Sequence, residues 1–92
     1  MASFSTANAH IVKRVVSLDV PSIGANTVSA ETFTVAGLRT DMFPLVVKPT
    51  ADAGLVPLAA RVSASNTLEI IFWNATGSAI NAAAQDFYLV CL

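Results

Sequence analysis

Residues 58–73, LAARVSASNTLEIIFW, constrain the fold more than any other stretch, because they read as two short strands that are apolar on both faces. The break falls at Ala64-Ser65-Asn66. In the first strand Leu58, Ala60, Val62 and Ala64 share a face with Arg61 and Ser63 opposite, an ordinary alternation of period two. In the second, Leu68, Ile70 and Phe72 share one face, and the other carries Thr67, Glu69, Ile71 and Trp73. An antiparallel sheet with one solvated face has no reason to place Ile and Trp there. Either a second layer of the same chain covers that face or another subunit does.

Composition favours the other subunit. Apolar residues are 54% of the 92 and charged residues 12%, about half the usual charged share. A single domain of this size leaves roughly a third or more of its unfolded surface exposed. Large apolar patches are rare on monomers, so a homo-oligomer is expected, a symmetric trimer ahead of a dimer. Ile71, Trp73 and Tyr88 are the expected interface residues. The predicted core is Leu68, Ile70 and Phe72.

The rest of the chain reads as strands separated by turns. Residues 1–9 are small and polar around Phe4 and are expected to form a flexible arm, with residues 10–92 as a single β-domain. Residues 10–20 form a strand with Val12, Arg14, Val16, Leu18 and Val20 on one face and Lys13, Ser17 and Asp19 opposite. Pro21, Gly24 and Asn26 mark a turn, and residues 27–35 are a β-branched strand. Residues 38–42 read as a polar loop carrying Arg39 and Asp41. Pro44 and Pro49 bracket a short strand at a sheet edge. Residues 74–78 are a turn. Residues 79–84 are the one place where a helical turn is acceptable, too short for a helix to stand alone. Residues 86–92 close the chain as a strand apolar on both faces. Six or seven short strands with a turn roughly every ten residues predict an all-β fold, a small antiparallel sandwich or barrel, jelly-roll-like, without substantial helix.

No pattern of catalytic or ligand-binding residues emerges. A net charge of −1 with scattered Lys13, Arg14, Arg39, Lys48 and Arg61 gives no footprint for nucleic acid. No apolar run approaches the ~18 residues needed to span a membrane, and residues 1–16 lack the layout of an export signal, so synthesis in a reducing cytoplasm is expected. Cys91 has no internal partner and reads as a small buried hydrophobe. His10 is the only histidine, the acids stand singly without calcium-loop spacing, and no nucleophile elbow is present. The four glycines suit turns and make no phosphate loop. Glu31 and Glu69 sit well inside strands and are expected to face solvent rather than pair as acid and base. Neither enzymatic activity nor a metal or cofactor is expected. Asn74-Ala75-Thr76 matches a glycosylation sequon, and Trp73, at a strand end beside a turn, suits an interface better than sugar stacking.

One block is similar to something known. Val35-Ala36-Gly37, Asp41, residues 46–49, Gly54-Leu55, residues 60–77 and the closing strand 87–92 follow in an order that resembles small virion proteins of tailed bacteriophages. The most specific part is ARVSASNTLEIIFWNATG, and the likeness covers roughly residues 27–92. The usual Gly-Asp of that pattern is Thr40-Asp41 here, a departure confined to the loop that leaves the strand order unaffected. The resemblance implies a head decoration or cement protein located in the virion, with the major capsid protein as partner and no catalytic residues. The alternative is a glycan- or receptor-binding module of a fibre or spike, for which Trp73, Tyr88 and Asn74 are the candidates. Capsid docking is expected through Phe4 on the arm, or through the loop with Arg39 and Asp41.

Overall fold

The computed structural model describes residues 12–48 and 53–92, and among them every regular element is a strand. In chain order these are β1 (Val12–Leu18), β2 (Thr27–Thr34), β3 (Pro44–Val47), β4 (Leu55–Ala64), β5 (Thr67–Asn74) and β6 (Gln85–Cys91). They form two antiparallel three-stranded sheets, ordered β1–β6–β3 and β2–β5–β4. The expected all-β architecture is the one observed. Phe4 and His10 lie outside the described residues, as do the whole 1–9 arm and residues 49–52.

The two central strands have the strongest inward rows. Leu68, Ile70 and Phe72 of β5 and Phe87, Leu89 and Cys91 of β6 are all buried. Their side chains alternate with period two, so each strand sends three large groups into the space between the sheets. The Phe72 ring meets Phe87 edge-on at 6.2 Å between centroids and Phe33 at 6.5 Å, an arrangement that suits aromatic quadrupoles. Leu18, Val20, Ile23, Val35 and Leu38 seal the ends. Edge strands β3 and β4 meet along one side of the sandwich.

Two asparagines fix the turns. Asn66 adopts a left-handed backbone (φ 59°) in the two-residue β4–β5 hairpin turn, a conformation asparagine tolerates better than most side chains. Its carbonyl accepts from Val35 N at 2.9 Å, its Oδ1 accepts from Gly37 N at 2.7 Å, and its own N–H donates to Leu38 O at 2.9 Å. The exit of β2 is thereby tied to the hairpin. Asn26 (φ 50°) plays a similar part before β2 and donates its N–H to Thr76 O at 2.9 Å.

Three expectations need correction, and the helical turn allowed at residues 79–84 does not form. Leu58 is half exposed instead of sharing an inward face with Val62, because β4 carries irregularities between Pro57 and Ala59 and between Val62 and Ala64. A bulge interrupts the alternation that the pattern assumed. Leu38 is not part of a polar loop surface: it is 3% exposed and belongs to the core. Glu31 pairs with Ile70 and so stands in the inward row of edge strand β2 with Ser29 and Phe33, half-buried, its carboxylate accepting from Ser29 Oγ. A charge pointing inward on an edge strand is one of the devices that discourage edge-to-edge pairing. Residues 79–84 contain no helical turn; Ile80 instead makes a two-bond antiparallel bridge to Ile23, and Ala82 is buried.

Candidate functional site

The outward positions of the β6-centred sheet form four cross-strand rows. Val15 and Val47 flank Tyr88, and Lys13 and Leu45 flank Val90. Beyond β6 the ladder continues through reciprocal hydrogen bonds between Phe43 and Leu92 at 3.0 and 3.1 Å, which makes Phe43–Leu92 a further row. At the opposite end Ser17 stands beside Asp86. Apart from Lys13, Ser17 and Asp86 the face is apolar, and its most exposed apolar members are Phe43 at 72% and Val15 at 63%. A shallow depression of about 390 Å³ runs past Tyr88 between Lys13, Val15, Val47 and Val90.

The β5-centred sheet is divided. Val28, Trp73 and Val56 make one outward row and Ala30, Ile71 and Ala59 the next. Thr32, Glu69 and Arg61 make the third, where the Arg61 guanidinium donates to the Glu69 carboxylate, an interaction that raises the Arg61 pKa. Two of these three rows are therefore apolar and one is polar.

Of the three expected interface residues, Ile71 and Trp73 share this face. Tyr88 stands on the outside of the other sheet. Sequence reasoning missed Val15, Phe43, Leu45, Val47 and Leu92 as members of an apolar face. Their signal was available in the parity of β3 and β6, since residues two apart on a strand share a face and cross-strand partners extend it.

Arg39 and Asp41 are exposed and bonded to each other, Nε to Oδ1 at 3.1 Å, within a turn closed by Met42 N donating to Arg39 O at 3.0 Å. The loop that carries them ends at Phe43, so the charged pair adjoins the end of the β6-centred apolar face.

Asn74 is fully buried and is the structural centre of its loop. Its Nδ2 donates to Ile23 O at 3.0 Å and Ser78 O at 2.8 Å, while its Oδ1 accepts from Thr76 N at 2.9 Å and Thr76 Oγ1 at 2.7 Å. A glycan has no access to that nitrogen in the folded chain, so the Asn74-Ala75-Thr76 match is a loop-closing device. Trp73, Tyr88 and Asn74, the three candidates for a glycan site, lie on one outer face, on the opposite outer face and in the interior.

Among the described residues no three His, Cys, Asp or Glu side chains come together to hold a metal, and no helix is long and apolar enough to cross a membrane. Cys91 is buried at the end of β6. The surface carries two apolar areas on opposite sides of one sandwich. No family model, curated protein or solved structure matches the chain.

Proposed function

We propose that this chain is a virion structural protein, a decoration or cement subunit that assembles with copies of itself and coats a phage head. The observation that carries the reading is the apolar outer surface on both sheets of so small a sandwich. A protein that performs turnover concentrates polar groups in a cleft. A protein that only holds on spends its surface on burial. The sequence resemblance to small tailed-phage virion proteins supplies the class, and the paired faces supply a physical means of holding.

In this reading one apolar area serves self-association and another serves the particle, with the major capsid protein as the second partner. The β5-centred face with Ile71 and Trp73 is suited to a trimer seam or to the particle, and the Arg39–Asp41 turn beside Phe43 is a docking loop. Several weak contacts from one oligomer then add through effective concentration. The chain carries out no catalysis and takes no cofactor.

The test uses heads of the parent phage prepared without this chain. Purified protein added back should co-sediment with the heads at a fixed stoichiometry and raise the temperature at which they release DNA. Heads that neither take up the protein nor gain stability would remove the reading.

A further inference from the structure

We infer that the outer face of the β6-centred sheet is a self-pairing surface, covered by the same face of a second copy related by a two-fold axis. The inference rests on the assembly reading above and adds which face meets which partner.

Area is the first support. Phe43, Leu45, Val47, Val15, Tyr88 and Leu92 are each about half exposed or more, and together they expose on the order of 600 Å² of apolar surface, at the upper end for a single patch on a monomer. With Lys13, Ser17 and Asp86 at the rim, the face approaches the ~800 Å² per partner that a standard stable interface buries. An exposed sheet face finds its natural cover in another sheet packed about 10 Å away.

Charge is the second support. The rim holds one cation, Lys13, in the row of Val90, and one anion, Asp86, in the row of Ser17, two rows along the strands. A two-fold axis lying across the strands, between the Val90 row and the Tyr88 row, reverses the order of rows. Leu45 then meets Val47 of the second copy, Val90 meets Tyr88, and Lys13 lies over Val15, one strand and one row from Asp86 of the other chain, within reach of its long side chain. Each cation of the face thereby gains an anion of the other copy as a diagonal neighbour. A partner of one net charge would leave either Lys13 or Asp86 unmatched.

Closure is the third support. The two apolar areas lie on opposite sides of the sandwich, so packing one kind of face on the other and repeating the step strings copies into an open stack. A face paired with itself stops at two and still leaves the Trp73 side free for the particle.

Sedimentation equilibrium of the full chain at tens of micromolar tests this. The wild-type mass should be an even number of chains, and Val47→Asp, at an exposed position of a short edge strand, should halve it. Lys13→Glu and Asp86→Lys should each shift the association midpoint to at least tenfold higher concentration, and the double variant should recover most of the loss. Circular dichroism and urea midpoints keep misfolding apart from dissociation, and Leu45→Asp serves as a second disruptor should Val47→Asp unfold. A wild type of one or three chains overturns the inference, as does a mass unchanged by either disruptor or a charge swap whose losses merely add. A Val47→Asp chain that keeps its mass but no longer coats bare heads gives the face to the particle and also overturns it. Failure to coat heads with the mass behaviour intact removes the decoration reading and leaves the pairing in place.

Discussion

Asn74 Nδ2 donates to the backbone carbonyl of Ile23 at 3.0 Å, joining two segments 51 residues apart at the end of the sandwich. The same amide also reaches Ser78 O, and the carboxamide oxygen holds Thr76. Donor and acceptor sides are both used, so the amide is specified as an amide.

Asn74→Asp keeps the shape and the acceptor and removes the donor. The carbonyls of Ile23 and Ser78 then each lose one of two donors and face an oxygen, while Ile80 N still donates to Ile23 O and Thr76 Oγ1 to Ser78 O. Two buried hydrogen bonds are lost at about 1 kcal/mol each, so we expect a loss of about 2 kcal/mol in unfolding free energy. Urea denaturation of the two proteins side by side measures it; a midpoint within error of wild type would show that the cage contributes nothing.

Gly54 and Thr76 are also matched. Gly54 has φ 86°, its carbonyl accepts from Ala75 N at 2.8 Å, and a Cβ built on it would run into Thr76 Cγ2. Gly54→Ala should cost about 2 kcal/mol from left-handed strain and collision together. Thr76→Ser removes the colliding methyl and keeps the hydroxyl, so the double variant should recover the collision part alone. Gly77→Ala is the control, since a Cβ there meets nothing within 4 Å. Equal losses at Gly54 and Gly77 would contradict the geometry.

The core was readable because β5 obeys strict alternation: Leu68, Ile70 and Phe72 are fully buried as the pattern required. The β4–β5 break was readable from its turn residues, and Asn66 occupies it with a positive φ. The alternation gave a wrong face for Leu58 because bulges carry no sequence mark of their own in β4. Tyr88 was grouped with Trp73 on character alone, whereas sheet membership depends on long-range pairing, β6 with β1 and β3, β5 with β2 and β4. The burial of Asn74 depends on Ile23, far away in the chain, and the local triplet suggested a surface sequon instead.

Cys91 gives a prediction in pH. Burial raises its thiol pKa, and Arg14 offsets part of that rise. Above the ordinary thiol pKa the unfolded chain releases a proton that the folded chain keeps, so the unfolded state gains. The stability contributed by the protonated thiol is present below that value and is lost as pH rises through the folded pKa. The urea midpoint should fall between neutral and alkaline pH, with a smaller fall in Cys91→Ala. A disulfide-exchange reagent should leave Cys91 unreacted until the protein unfolds. Identical alkaline slopes for the two proteins, or rapid native labelling, would sink this account.

Trp73 is the sole tryptophan and is 42% exposed in the row between Val28 and Val56, so its fluorescence reports directly on that face. If the β6-centred sheet pairs copies and the β5-centred face meets the particle, the two events separate spectroscopically. Self-association on raising the concentration should leave the emission maximum and acrylamide quenching unchanged. Addition of bare heads should shift the emission to the blue and cut quenching several-fold. Trp73→Ser should lower stability only modestly, because the ring is not part of the core, while weakening head binding by the loss of an aromatic contact on the order of 2 kcal/mol, roughly thirtyfold in affinity. A blue shift on self-association alone would move the self-pairing seam to the Trp73 side. An emission spectrum unmoved by saturating heads would leave the Trp73 face without the role proposed for it.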